Sequence, residues 1–283
     1  MKDNLYKISN FKDIDPFLMS ITSADNHWMY ISSSGCLSAG RQKAEHALFP
    51  YVTDDLLHKN AHFTGPITCI SIDVDNTKYS WQPFSNQIDN YKKNQNLYKN
   101  SLGNKIVFEE INHTIGLTFL YSWQASARYG FVKKTKLLNH SGKKLNIKLV
   151  DGLRNILPAG VSLRTQQEMS NLANAYKVSE CNSDDNYALY YMNALLMDKP
   201  DPGESLFSNI VWSHSSDNIE LSVNEKSIST FLSNDEFEKD HLLKGKEGSF
   251  LNYIQKPLPS DQEMTWYIIA DVQKSQSDIS SII

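Results

Sequence analysis

The stretch KIVFEEINHTIGLTFLYSWQ, residues 105–124, decides the fold class because its apolar residues recur at every second position. Such a period of two is typical of a half-buried β-strand. One face of its second half carries Leu117, Phe119, Tyr121 and Trp123. A β-rich run precedes that half, and the connecting NHTIG supplies turn residues. The stretch therefore predicts a β-hairpin.

The same alternation continues along the chain. Residues 129–138 and 144–151 alternate around an asparagine-, serine- and glycine-containing turn, which predicts a second hairpin. Residues 67–81 predict a third hairpin, with Asp75 and Asn76 at its turn. Four later segments predict further strands: 187–197, 206–213, 249–255 and 265–272.

Two segments have a helical pattern instead. Residues 162–177 predict one helix, which Ser162 can cap. Its apolar residues at helical spacing are Met169, Leu172, Ala173 and Tyr176. Residues 273–283 predict the start of a second helix, whose apolar face consists of Ile279, Ile282 and Ile283. The segments that this apolar face would pack on are absent from the sequence. We therefore expect the residues beyond Lys274 to be weakly packed.

Together these patterns predict a mainly β protein built as a large antiparallel sandwich with one or two short helices. No repeat of 20–50 residues is visible, which argues against propellers and solenoids. We expect the sandwich to span residues 1–272, with residues 1–24 as an N-terminal extension of undefined structure. Residues 273–283 would then begin a linker helix that is cut short.

Composition excludes several classes of function. A net charge of −4 disfavours a nucleic-acid partner, and the densest basic run, Lys133 to Lys136, suits a solvent-facing strand. No apolar run approaches the roughly 20 residues of a membrane helix, and no signal peptide is visible, so the sequence predicts a cytoplasmic protein. The three cysteines, Cys36, Cys69 and Cys181, have no metal spacing and predict buried or half-buried thiols.

Motifs for chemistry are weak. His58 and His62 are four residues apart, but the glutamate of a zinc-protease motif is missing, so we predict neither a metal nor a cofactor. Glu109 and Glu110 would point to opposite faces of a strand and favour solvent-facing carboxylates. Asp151 is a conceivable partner for one of them in an acid/base pair.

The tryptophans offer the remaining clue. Trp123, Trp212 and Trp266 have alternating neighbours and are predicted to lie in the core. Trp81 precedes Pro83 at a strand end and is predicted to be exposed, where it could stack on a sugar.

The order of these segments resembles the N-terminal region of cellobiose-phosphorylase-like proteins and related glycoside hydrolases. The resemblance covers residues 25–160 and rests on SSSGCLSAGR, TDD, YSWQPFS and the turn NHS. The matching positions are Gly35, Ser38, Gly40, Arg41, Asp54 or Asp55, Trp81, Pro83, Asn139 and Ser141. It implies a β-supersandwich similar to galactose mutarotase, followed in the family by a linker and an (α/α)6 barrel that carries the catalytic groups.

The resemblance also implies partners and a site. It implies an oligosaccharide or β-glucan-type sugar, a downstream barrel in the same polypeptide, and a homodimer. The substrate-binding residues that we predict are Arg41, Asp54, Asp55 and Trp81. An internal ion pair between Arg41 and one of the two aspartates is the alternative, and we favour it. No position matches the family's catalytic residues.

Three hypotheses for function follow. The first is a non-catalytic sandwich domain of a carbohydrate-active enzyme, which supports the barrel and contributes to sugar binding. The second is a free-standing aldose-1-epimerase-like enzyme, with acid and base drawn from Glu109, Glu110, His113 and His140. The third is a lectin-like module in which Tyr79 and Trp81 stack on sugar rings.

Overall fold

The structure, a computed structural model, describes residues 4–52, 54–75, 77–85, 90–168, 170–194 and 205–283. Strands are numbered β1 to β19 and helices α1 to α5 in chain order. The largest sheet has ten strands, each antiparallel to its neighbours. In spatial order they are β1 (Leu5–Ile8), β8 (Lys93–Asn100), β9 (Lys105–Asn112), β10 (Leu117–Ser126), β11 (Gly130–Asn139), β19 (Glu263–Lys274), β15 (Ser208–Ser215), β14 (Tyr187–Met192), β13 (Lys177–Asn182) and β17 (Leu242–Lys244).

Two smaller antiparallel sheets complete the strand content of these residues. The five-stranded sheet contains, in order, β16 (Glu220–Ser222), β18 (Gly248–Leu258), β12 (Leu145–Ile156), β6 (Gly65–Val74) and β7 (Thr77–Trp81). The four-stranded sheet contains β2 (Leu18–Ser20), β3 (His27–Ser32), β4 (Leu37–Arg41) and β5 (Ala47–Phe49). The mainly β, large antiparallel architecture that the alternation predicts is therefore confirmed.

Helices are short and peripheral. They are α1 (Asp54–Lys59), α2 (Leu163–Glu168), α3 (Ser170–Asn174), α4 (Lys226–Asn234) and α5 (Gln276–Ile282), beside a 3-10 helix at Phe11–Asp13. The predicted helix at 162–177 appears as α2 and α3, and the Ser162 hydroxyl caps α2 by accepting a hydrogen bond from the Thr165 amide. Met169 lies outside the described residues. No helix of the described ranges is both long and apolar enough to cross a membrane.

The core lies between the ten-stranded and five-stranded sheets. The predicted inward face of β10 is confirmed, since Leu117, Phe119 and Trp123 are completely buried. Phe119 meets Trp81 of the opposite sheet at a ring-centroid distance of 6.4 Å. Trp266 is also completely buried, as predicted, whereas Trp212 is only half-buried, contrary to prediction. Aromatic side chains thus fill much of the space between the sheets.

Two of the three predicted hairpins are confirmed. β9 pairs with β10, and β6 pairs with β7, although Asn76 of that turn lies outside the described residues. The second hairpin is wrong. β11 pairs with β10 and β19 in the large sheet, whereas β12 pairs with β6 and β18 in the five-stranded sheet. The turn after Asn139 therefore carries the chain from one layer to the other.

The strands predicted in the last third of the chain are confirmed as β14, β15, β18 and β19, although residues 195–197 of the first prediction lie outside the described residues. At the other end, the predicted N-terminal extension contributes strands. β1 forms an edge of the large sheet beside β8, and β2 pairs with β3. The segment is thus integrated into two sheets from Leu5 onward.

The C-terminal helix α5 begins with a capping box between Ser275 and Asp278, and none of its residues is buried. Burial of apolar area is the main source of stability, so this helix should contribute little. We expect deletion of residues 275–283 to lower the melting temperature by less than about 2 °C, measured by calorimetry. A decrease of about 5 °C or more would contradict this expectation and would show that α5 packs firmly on the sandwich.

Candidate functional site

A cleft of about 490 Å³ opens between the two larger sheets and is called the central cleft here. Its volume is within the range of small-molecule sites. The polar groups that line it belong to Ser34, His62, Thr68, Gln82, Ser85, Tyr121 and Arg154. The apolar lining consists of Gly35, Ala61, Pro66, Ile67, Pro83 and Phe84. Turns, both sheets and the segment after α1 therefore converge on one cavity.

A buried ion pair lies beneath the cleft. The Lys133 ammonium of β11 donates to both carboxylate oxygens of Asp151 on β12, each at 2.7 Å, and both side chains are completely buried. The Trp266 indole N–H donates to the same carboxylate at 2.7 Å, and the Thr68 hydroxyl donates at 2.6 Å. Because Thr68 also lines the central cleft, this network connects the cleft to the core.

The ion pair joins the two layers of the sandwich. Asp151 and Thr68 belong to the five-stranded sheet, and Lys133 and Trp266 to the ten-stranded sheet. Burial lowers the pKa of Lys133, which the Asp151 charge partly offsets. Such a pair is costly to desolvate, but it is costlier still to break, since one buried charge would then lack a partner. The prediction that Lys133 faces solvent is therefore wrong.

Tyr121 forms one wall of the cleft. Its ring lies 5.4 Å from the Lys133 ammonium and stacks on Phe108 at a centroid distance of 4.8 Å. Burial raises the pKa of the phenol, so it stays protonated. Within the described residues the hydroxyl has no hydrogen-bond partner. It is thus a fixed donor and acceptor available to a ligand.

The rim of the cleft is held by a buried carboxylate. Glu110, which is completely buried, accepts hydrogen bonds from the Trp81 indole at 2.7 Å and from the Phe84 amide at 2.6 Å. The Oε2 atom, which accepts from the Phe84 amide, also accepts from the Gln95 side-chain amide group at 2.6 Å. Phe84 has φ of 62°, a backbone conformation that bulky residues rarely adopt. The carboxylate therefore holds a strained residue in the cleft wall.

Two predictions about this rim are corrected. Trp81 is only 1% exposed, because it packs on Phe119 and donates to Glu110, so it cannot stack on a sugar. Glu110 does not face solvent, although Glu109 does point to the opposite face and accepts hydrogen bonds from Asn96 and Tyr98. Neither glutamate lines the central cleft.

The serine- and glycine-rich turn between β3 and β4 reaches the same cleft. Gly35 has φ of 95°, which requires glycine, and a side chain there would approach the Tyr121 hydroxyl. Ser32 holds the turn, since its hydroxyl contacts the Ser34 hydroxyl at 2.5 Å and His58 Nδ1 at 2.8 Å. His58 is thus a hydrogen-bond partner of the turn.

Arg154 is the one lysine or arginine among the described residues that line the cleft. It is 8% exposed, and burial lowers the pKa of its guanidinium. Its terminal nitrogens donate to the backbone carbonyls of His62 and Ala61, and Glu225 is 3.6 Å away. The Nε–H is buried without a hydrogen-bond partner among the described residues.

The predicted substrate-binding residues do not meet at this cleft. Arg41 forms an ion pair with Asp271 at 2.8 Å, on which Lys274 also converges at 2.6 Å. The ion-pair partner of Arg41 that the described residues show is therefore Asp271, and the favoured alternative, a pair with Asp54 or Asp55, stays a prediction. Asp54 and Asp55 begin α1, and their side chains lie outside the description. A role for these residues in sugar binding stays a prediction.

Two other cavities carry polar groups. An end cavity of about 370 Å³ is lined by His113, His140, Asp75 and Tyr79 among others. Asp75 forms an ion pair with Lys143, and both side chains are mostly exposed. An outer groove of about 490 Å³ lies on the five-stranded sheet and includes Tyr253.

Among the described residues no cluster of histidine, cysteine and acidic groups could hold a metal. The cysteines match the prediction: Cys36 and Cys69 are buried, Cys181 is half-buried, and all three are free. Burial raises the pKa of both the Cys36 and Cys69 thiols to about 12. These thiols are therefore protonated core groups rather than nucleophiles.

Comparison with solved structures bears on the fold. The GalM/aldose epimerase homologue from C. elegans superposes with a TM-score of 0.51 at 9% identity, over 93% of this chain and 100% of that one. A candidate aldose 1-epimerase from Escherichia coli K12 has a TM-score of 0.48 at 8% identity, covering 92% and 99% of the two chains. A polysaccharide lyase superposes with a TM-score of 0.49 at 8% identity, and the match covers 89% of this chain and 33% of the lyase.

The fold is therefore a galactose mutarotase-like β-supersandwich, as predicted. Protein-family models give no match to the sequence. A comparison with curated proteins finds no significant match. The more specific resemblance to cellobiose-phosphorylase-like proteins stays a prediction.

Sequence reasoning missed Lys133, Thr68 and Arg154 as parts of a site. A usable signal existed for Lys133, because it shares a strand face with Phe131 and Leu137, both completely buried. Asp151 follows a run of apolar residues in β12, which also indicates burial. Nothing in the local sequence pairs these two residues, since they belong to different sheets.

Proposed function

We propose that this protein is a carbohydrate-binding sandwich that holds a sugar in the central cleft. The observation that carries the proposal is the cleft's lining: a Tyr121 hydroxyl without a partner, the Gln82 amide and the Thr68 hydroxyl lie in one cavity with Phe84. Sugars are bound by hydroxyl and amide groups beside an aromatic side chain, with few polar groups fixing the orientation.

The charges of the described cleft residues favour binding over acid/base catalysis. Epimerisation or glycosidic cleavage requires a general base facing an acid, commonly with at least one carboxylate. No aspartate or glutamate occurs among the described residues that line the central cleft. The nearest buried carboxylate, Asp151, is occupied by Lys133, Trp266 and Thr68. The cleft is therefore suited to binding.

The resemblance over residues 25–160 motivates a more specific role. We propose that the sandwich serves a cellobiose-phosphorylase-like or glycoside-hydrolase-like enzyme as its sugar-contacting, non-catalytic domain. The coding sequence downstream of residue 283 tests this role. A helical barrel encoded there is the expected result, and an immediate stop codon would contradict it.

Calorimetric titration tests sugar binding directly. We expect glucose, galactose, cellobiose or laminaribiose to bind with millimolar or tighter affinity, and Tyr121→Phe to weaken binding by about 3- to 10-fold through loss of one hydrogen bond. Tyr98→Phe is the matched control, because its hydroxyl already donates to Glu109 outside the cleft. No heat with any of these sugars, or equal loss in both variants, would contradict the proposal.

An aldose epimerase is the second candidate. The observation that favours it is the end cavity, where His113 and His140 lie with Asp75. Polarimetry of freshly dissolved α-glucose and α-galactose distinguishes the two functions. We expect mutarotation at the rate of the buffer. A faster rate that His113→Ala and His140→Ala abolish would replace the binding function with catalysis in the end cavity.

A further inference from the structure

We infer that the sugar bound in the central cleft carries a carboxylate, and that Arg154 selects it. This inference rests on the proposed sugar-binding function and names its substrate class. The charges lining the cleft motivate it. Arg154 is a cation, and no acidic residue occurs among the described lining residues. Glu225, outside the cleft lining, is the one acidic partner of Arg154 that the described residues provide.

Arg154 has unused capacity to bind an anion. Two of its nitrogens donate to backbone carbonyls of Ala61 and His62, which orients the guanidinium without neutralising it. The Nε–H is buried and has no partner among the described residues. A buried donor without a partner is uncommon in native proteins and usually has a functional or solvent explanation.

The acidic groups around Arg154 compensate it only in part. Glu225 forms an ion pair with Nη1 at a separation of 3.6 Å, but its side chain is 43% exposed and the pair is therefore screened by water. Asp151, beneath the cleft, is already committed to Lys133. Nearby Cys36 and Cys69 are protonated thiols. Burial accordingly lowers the pKa of Arg154, and a ligand anion would relieve that cost.

A carboxylate fits this donor set. Guanidinium and carboxylate are planar groups that pair through charge-assisted hydrogen bonds. A uronic acid carries its carboxylate on the sugar ring, so one ligand supplies an anion for Arg154 and hydroxyls for Tyr121 and Gln82, which line the same cleft. The substrate class that results is a uronate or a glycan that contains one.

Calorimetry with matched ligands tests the assignment. At low ionic strength we expect D-glucuronate and D-galacturonate to bind roughly 10-fold or more tightly than D-glucose and D-galactose, the gain of one charge-assisted hydrogen bond. The methyl ester of D-glucuronate, which has nearly the same shape without the charge, should bind like glucose. The preference should fall as salt is added.

Three variants identify the responsible residue. Arg154→Gln should abolish the preference for the acid, and Glu225→Gln should strengthen it about 2- to 5-fold by removing a competing carboxylate. Arg164→Gln is the control, since Arg164 is exposed and pairs with Glu168 on α2. If the two residues had a merely structural role, Arg154→Gln and Glu225→Gln would not change the preference for the acid in opposite directions. If Arg154→Gln does not fold, Glu225→Gln and the ester comparison still decide the question.

The outcomes separate the two proposals. Equal affinity for uronates, the ester and neutral sugars would overturn the selection by Arg154 and leave sugar binding intact. A preference that survives in Arg154→Gln would overturn the role of this residue. Absence of binding by acidic and neutral sugars alike would overturn both proposals.

Discussion

Lys133→Met is expected to lower the free energy of unfolding by about 3–5 kcal/mol, because it leaves the Asp151 carboxylate buried without its cation. Asp151 would keep the Trp266 and Thr68 hydrogen bonds, but neither of these donors carries a charge. Methionine fills a volume similar to that of the lysine stem, so the loss reports the charge more than a cavity. Urea denaturation followed by tryptophan fluorescence measures it.

Lys134→Met is the matched control for this prediction. Lys134 is the next residue on β11, is only partly buried, and lies 5.5 Å from the Tyr267 ring centroid on the other face. An exposed cation–π contact contributes about 0.5–1 kcal/mol, so Lys134→Met should lower the free energy of unfolding by no more than that. Equal losses in the two variants, or a loss under about 1 kcal/mol for Lys133→Met, would contradict the account of the buried ion pair.

Glu110→Gln should have the second largest effect, a loss of about 2–4 kcal/mol in the free energy of unfolding. The carboxylate accepts from Trp81, Phe84 and Gln95, whereas an amide has one accepting oxygen. At least one buried donor would lose its partner, at about 1–3 kcal/mol each. Phe84 would also be freed from its strained conformation, so sugar affinity should fall with stability.

The neighbouring Glu109→Gln provides the control for Glu110. Its carboxylate accepts from Asn96 and Tyr98 on the opposite, partly exposed face, where water can replace a lost hydrogen bond. We expect a loss below about 1 kcal/mol and unchanged sugar affinity. Denaturation and titration of both variants check this pair of expectations. A Glu110→Gln protein with native stability and affinity would show that the rim does not depend on the carboxylate.

Most of the fold could be predicted from local alternation, because a half-buried strand shows its inward face directly in the sequence. The β9–β10 hairpin is an example, since both strands and the turn are adjacent in the chain. The relation between β11 and β12 could not be predicted in this way. A short turn can join two strands that pair within one sheet or two strands that lie in opposite layers. Alternation along the sequence does not distinguish these two arrangements.

The candidate site was less accessible to prediction because its groups meet through long-range packing. Arg41 pairs with Asp271, 230 positions away in the sequence. Arg154 and Tyr121 come from different sheets and share the central cleft only after the layers pack. The glycine of the β3–β4 turn was visible in the sequence, but its position beside Tyr121 depends on the complete sandwich.

Binding of a sugar in the central cleft is the central claim, and a crystal structure of the protein with its tightest-binding sugar tests it most directly. We expect density for the sugar between the two sheets, with a ring hydroxyl within hydrogen-bond distance of the Tyr121 hydroxyl. A sugar bound instead in the end cavity near His113 or in the outer groove near Tyr253, with the central cleft unoccupied, would contradict the claim.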